Sequence, residues 1–210
     1  MSDAPAKGRP ILADATPKAL KAAQDILLSQ GFAKLTIEKV AARTGLGKPT
    51  LYRRWANASE LAMAALLDLA VPIPAPEGPG LEAALLTQMR ALVAAFGGDW
   101  GRQVVLTLTA ADPEAAASRA FAQALLHEPR AQGKAAFEAA IAAGEILAPP
   151  DLEALVDMLY APVLSRALLG HRQLYPGLAA ALVKTALLVC GKVTKPARST
   201  KPEDRQASLF

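Results

Sequence analysis

LTIEKVAARTGLGKPTLYRRW, residues 35–55, is the stretch whose reading decides the fold. Ile37, Val40 and Ala41 recur at helical spacing, Thr36 stands before them as a capping residue, and Gly45 follows as a stop. Leu46 is placed to plug the corner, and Leu51 and Trp55 lie four apart on one side of a second short helix that starts near Lys48. Two short helices joined by a glycine turn, each with an apolar stripe, read as a helix-turn-helix. The same spacing leaves Lys48, Pro49, Thr50, Arg53 and Arg54 on the solvent side of the second helix, with Tyr52 at its edge. Such a helix fits the major groove of duplex DNA, which is about 12 Å wide, with its N-terminal residues leading.

Working outward, Thr16-Pro17 reads as a cap followed by proline at the first helical position, and Leu20, Ala23 and Leu27 carry that helix to Gly31. Asn57-Ala58-Ser59-Glu60 resembles a capping box and opens a fourth helix reaching about Leu69. Residues 71–80, VPIPAPEGPG, hold four prolines and two glycines, which forbid a continuous helix and mark a domain border. Beyond it, Leu85, Met89, Leu92 and Phe96 stripe a helix over 81–96 that Gly97-Gly98 ends. A short apolar helix is expected over 102–111. Asp112-Pro113-Glu114 is expected to start the next, which runs to about His127, where Pro129 separates it from a continuation to about Ala143. Two long apolar helices, 151–169 and 176–189, are closed by Gly170 and Gly191, with Pro162 expected to bend the first. Aromatics are only 5% and β-branched residues form no alternating runs. The expected fold is all-α, with about nine or ten helices. Its expected parts are a flexible arm over 1–11, a helix-turn-helix domain over 12–70, an effector and dimerisation domain over 71–191, and a disordered basic tail over 192–210.

Charge follows the same division. Residues 1–60 carry ten Lys/Arg against five Asp/Glu, residues 61–191 eight against twelve, and residues 192–210 five against two. A basic head on an acidic body suits a DNA-binding unit attached to a part that must not stick to DNA. The hydrophobic fraction is 52%, yet only 11 residues separate Arg172 from Lys184, too few for the roughly 20 of a membrane-spanning helix. Residues 1–10 hold charges and prolines rather than the apolar core of a secretory signal, so a cytoplasmic protein is expected. One cysteine, Cys190, permits no internal disulfide and no cysteine-built zinc site. His127 and His171 are the only histidines, and no HExxH, GxSxG, phosphate-loop or dinucleotide glycine pattern occurs. Neither an enzyme nor a metal or other cofactor is expected.

Residues 12–69 resemble the DNA-binding domain of TetR-family transcription regulators. The resemblance rests on Gly31-Phe32, Leu35-Thr36-Ile37, Val40-Ala41, Thr44-Gly45-Leu46, Thr50-Leu51-Tyr52, Trp55 where the family usually has Phe, and Asn57 with Leu61. It implies that Thr50 and Tyr52 contact phosphates, that Lys48 and Pro49 face base edges, and that Arg53 and Arg54 lie near the backbone or groove floor; Thr36 joins this DNA-binding set. The chain departs from the family at Gly47, where a capping serine is common, and at Ala58, where a phosphate-binding lysine is common. Glu38 occupies a position that reads bases in some members; an acid there repels phosphate but can accept from a cytosine amino group.

Pro72-Ile73-Pro74, Asp112-Pro113-Glu114, Gly144-Glu145 and Gly170-His171-Arg172 followed by Pro176-Gly177 resemble a TetR C-terminal subgroup. That resemblance implies an effector pocket among the fifth to eighth helices and a dimer built from the last two. Candidate pocket residues are Met89, Phe96, Trp100, Arg102, Gln103, Phe121 and Met158, with Trp100, Arg102 and Gln103 as polar anchors for a largely apolar, drug-sized or lipid-like ligand. The last two helices carry more apolar residues than one stripe requires, and Leu155, Leu159, Val163, Leu182, Ala186 and Val189 are the candidate two-fold interface. The function expected from these readings is a homodimeric repressor released from a palindromic operator by a small apolar ligand. The alternative is a dimeric DNA-binding regulator without small-molecule control.

Overall fold

The computed structural model describes residues 15–191; the expected arm over 1–11 and tail over 192–210 lie outside them. The chain order is α1 (Ala15–Gln30), α2 (Ile37–Thr44), α3 (Lys48–Tyr52), α4 (Ala58–Asp68), α5 (Leu81–Phe96), α6 (Asp99–Ala110), α7 (Ala116–Ala122), α8 (Glu128–Ala142), α9 (Leu152–Leu169) and α10 (Gly177–Cys190). A π-helical turn, Gln123–His127, joins α7 and α8 into one rod, and no β-strand occurs among the described residues. None of the described helices is long and apolar enough to cross a membrane.

Small side chains bring α1 and α4 together. Ala19, Ala23, Ala62 and Ala65 are all fully enclosed, and the buried Gln24 amide donates to Ala65 O at 3.2 Å and Asp68 Oδ2 at 2.7 Å, which satisfies it and fixes the end of α4. Asn57 caps α4 by accepting from Glu60 N at 2.9 Å, and the Glu60 carboxylate accepts in return from Ala56 N at 2.8 Å. The proline-rich stretch 71–80 is irregular, as its composition dictates. Gly80 offers no capping side chain, and Glu145, from the α8–α9 connection, supplies one by accepting from Leu81 N at 2.8 Å. The buried residues of both halves nevertheless form one continuous cluster, because α6 packs on α1 and α4 as well as on α5 and α9.

Three helix boundaries differ from the sequence reading, each for a local reason. Helix α6 begins at Asp99 rather than near Arg102: Gly101 lets it turn directly off α5, where a Cβ would stand 2.3 Å from the Phe96 Cα. Asp112 starts a tight turn instead of a helix, its carboxylate accepting from Glu114 N at 3.0 Å, and α7 begins only at Ala116. Pro129 does not break the rod. The π-helical turn before it widens the backbone and absorbs the loss of one N–H, so Pro129 sits in the first turn of α8.

Asp151 caps α9 by accepting from Ala154 N at 3.0 Å, and Gly170, at φ 62°, ends it in the left-handed conformation that favours glycine. Pro162 lies inside α9 without ending it. The interface assignment on these helices needs correction. Leu155, Leu159, Val163 and Ala186 are buried in the chain's own core and have no surface to offer a partner, and Leu182 is half-buried. Val189 is 48% exposed, and the apolar residues that α9 and α10 turn outward with it are Met158, Leu169 and Leu188, the last 74% exposed.

Candidate functional site

The helix-turn-helix is built by short-range bonds. Thr36 Oγ1 accepts from Lys39 N at 3.1 Å to start α2, and Gly45 closes it at φ 71°. The buried Thr44 hydroxyl donates to Val40 O at 2.6 Å and accepts from Leu46 N at 3.3 Å, which locks the turn. Leu51 and Trp55 enter the core, so α3 and the turn after it present Lys48, Pro49, Tyr52, Arg53 and Arg54 to solvent, while Thr50 is half-buried. The Tyr52 hydroxyl donates to Glu38 Oε1 at 3.0 Å, and this bond lays the first turn of α2 against the end of α3. Six of the seven residues expected to meet DNA therefore lie on α3 or at the caps of these two helices, and Arg54 follows directly in the turn after α3.

The Glu38–Tyr52 pair is a feature the sequence did not disclose. The helical backbone at Glu38, the Tyr52 hydroxyl and then Lys48 hold the Glu38 carboxyl below its usual range, and its carboxylate in turn raises the Tyr52 phenol. A phenol has one proton to give, and a phosphate only accepts. In this arrangement Tyr52 gives it to Glu38, so a Tyr52–phosphate bond requires that Glu38 be released.

A cavity of about 380 Å³ opens between α5, the π-helical turn and α9, lined by Leu92, Leu125, Leu126, Pro129, Tyr160 and Leu164, with His127, Arg130 and Asp157 among its polar walls. Its volume falls in the range of small-molecule sites, roughly 300–1,000 Å³. Tyr160 is buried, its hydroxyl donates to Gln88 Oε1, and Gln88 Nε2 donates to Pro129 O at 3.0 Å. Burial pushes the Tyr160 phenol upward, outweighing the opposing influence of Arg130. Gly133 makes room for this ring, since a Cβ there would lie 1.9 Å from the Tyr160 hydroxyl. Arg130 bonds Glu153 at 2.6 Å and Asp157 at 2.7 Å, and Lys134 reaches Glu153 at 2.6 Å, so ion pairs tie α8 to α9 beside the opening.

Residues 19–65 match the model of the tetR family of bacterial regulatory proteins, and residues 75–186 match that of the tetracyclin repressor-like C-terminal domain. The chain belongs to the TetR family. It is 28% identical over 165 residues to the uncharacterized HTH-type transcriptional regulator YdeS of Bacillus subtilis (strain 168), covering 78% of this chain and 83% of that one. Among solved structures it resembles the TetR family transcription regulator SCO0332, at 30% identity and TM-score 0.57, over 81% of this chain and 95% of that one. A tetR-family regulatory protein from Rhodococcus RHA1, at 19% identity and TM-score 0.63 over 86% and 99% of the two chains, shares the fold. The protein is thus an all-α, DNA-binding transcription regulator of this family.

Within this TetR-type body the expected effector residues scatter. Met89, Phe96 and Phe121 are packed into the core, and Met158 is 57% exposed on the outside of α9. Arg102 lines a separate open cleft with Arg166 and Arg172. Trp100 and Gln103 join the two halves instead of facing a ligand: Trp100 Nε1 donates to Leu66 O at 3.0 Å, and Gln103 Oε1 accepts from Phe32 N at 2.8 Å. None of the seven lines the apolar cavity. The residues that do were missed because they come from three stretches remote in sequence, α5, the π turn running into α8, and α9; the one local clue was a proline in the middle of a helical pattern.

Proposed function

We propose that this TetR-family regulator is a repressor that holds a palindromic operator as a homodimer and leaves it when a small, largely apolar ligand enters the cavity beside the π-helical turn. The observation that carries this reading is an apolar cavity walled by α5, the π turn, α8 and α9, next to a helix, α6, bonded directly to the DNA-binding half. A ligand that spreads those walls shifts α6, and α6 carries Trp100 and Gln103, whose partners lie at the end of α4 and just after α1. Release follows only if the ligand binds the displaced arrangement more tightly than the DNA-binding one.

The exposed apolar residues of α9 and α10 are the surface on which a second copy docks, with two-fold symmetry placing the same patch on both sides. The dimer then presents two α3 helices to half-sites about 34–36 Å apart, or a multiple of that. The test is a mobility-shift titration of the operator complex against a panel of apolar and charged metabolites, paired with calorimetry. Release by an apolar compound that binds with one site per chain is the expected result. Binding of the operator without response to any compound would favour a regulator lacking small-molecule control.

A further inference from the structure

A second cavity, of about 320 Å³, lies on the other side of the π-helical turn, and His127 belongs to the walls of both. Its remaining walls include Leu108 of α6 and Ser118, Arg119 and Gln123 along the α7 rod. Ser118 is 4% exposed, and its hydroxyl has no hydrogen-bond partner among the described residues. A helical serine ordinarily gives its proton to a carbonyl three or four residues back. Here those carbonyls accept from Arg119 instead, Glu114 O from Arg119 Nη1 and Ala115 O from Arg119 N at 3.1 Å, and the Ser118 hydroxyl bonds neither. Thr107, the neighbour of Leu108 on α6, is a second fully buried hydroxyl without a partner among the described residues. Buried hydroxyls are nearly always bonded, so an orphan in a cavity wall marks a place where a bound group completes the bonding.

We infer that one ligand spans both cavities, and that it is an amphipathic carboxylic acid. Its apolar chain lies over Leu92, Leu126 and Leu164, and its carboxylate passes His127 to accept from Ser118 Oγ. The head is an acceptor because the smaller cavity offers the donors of Ser118, Gln123 and Arg119 and has no carboxylate in its wall. It is anionic because the one Lys or Arg in that wall is Arg119, whose pairing with the exposed Glu114 carboxylate at 3.6 Å is long and solvent-exposed, so a ligand carboxylate can take its place. The site also has a mechanical output, since α7 packs against α4 of the DNA-binding half. This inference rests on the effector cavity proposed above.

The test is calorimetry on the full-length protein with decanoate, methyl decanoate and decanol at fixed ionic strength. Wild type should bind decanoate about tenfold more tightly than the other two, the scale of one hydrogen bond to a charged group. Ser118→Ala should remove that preference while leaving decanol affinity unchanged, and its thermal midpoint without ligand should equal or exceed that of wild type, because an unsatisfied hydroxyl has been deleted. Leu126→Trp, with Leu164→Phe as a second filling of the larger cavity, should abolish binding of all three. Equal affinity for the three probes, or a decanoate preference that survives Ser118→Ala, overturns the head-group inference while loss of binding in the filled variants upholds the cavity. Binding that persists in both filled variants overturns the cavity reading and the inference together. If no probe binds wild type, the amphipathic-acid assignment is wrong.

Discussion

The bond from Phe32 N to Gln103 Oε1 makes a quantitative prediction about how the two halves are held together. Gln103 is 7% exposed, its amide lies over Gly31, and it supplies the acceptor for a backbone N–H at the first turn after α1. Gln103→Met keeps the length and apolar contacts of the side chain but removes the carbonyl. The Phe32 N–H is then left in a half-buried position without its partner, at a cost of about 1–3 kcal/mol. With a urea dependence of about 1–3 kcal/mol per M, the unfolding midpoint should fall by roughly 1 M. Amide exchange at Phe32 should accelerate about tenfold or more, while amides buried inside α5 change only as far as global stability does. Gln103→Glu, which restores an acceptor, should recover Phe32 protection. Coupling between effector and operator is typically about 1–3 kcal/mol, so loss of this strut should also remove a large part of any ligand-induced release. An unchanged midpoint together with unchanged Phe32 exchange in Gln103→Met would refute the strut.

At the DNA face, Glu38→Ala should raise operator affinity, because it frees the Tyr52 hydroxyl for a phosphate; adding Tyr52→Phe should reverse the gain in a mobility-shift assay. Lys48→Ala combined with Arg54→Ala should weaken operator binding, and an unaltered affinity would remove α3 from the groove. Stability should decline as pH rises above about 10, where unfolded tyrosine ionises while the buried Tyr160 retains its proton, and urea midpoints of Tyr160→Phe should show a shallower decline over the same range. Leu188→Glu should give a folded species of 21.9 kDa in sedimentation in place of the proposed dimer, whereas Leu155→Glu should unfold the chain, because the first side chain faces outward and the second lies in the core.

The helix-turn-helix was legible in the sequence because everything that builds it acts over three or four residues. Thr36 caps its own helix, Gly45 takes the left-handed turn, and Leu51 and Trp55 share a face by helical spacing alone. The all-α class, the caps at Asn57 and Asp151 and the irregular linker over 71–80 follow from the same local chemistry. Tertiary structure decided the rest. Helix α9 is apolar nearly all round, so periodicity does not select which side is buried; neighbours on α5, α6, α8 and α10 place Leu155, Leu159 and Val163 inside and leave Met158 and Leu169 outside. Gln103 meets Phe32 across 71 positions and Tyr160 meets Gln88 across 72, separations at which no spacing rule operates. A cavity is a volume that side chains on several helices fail to fill, so it belongs to the arrangement of the helices and not to the sequence of any one of them.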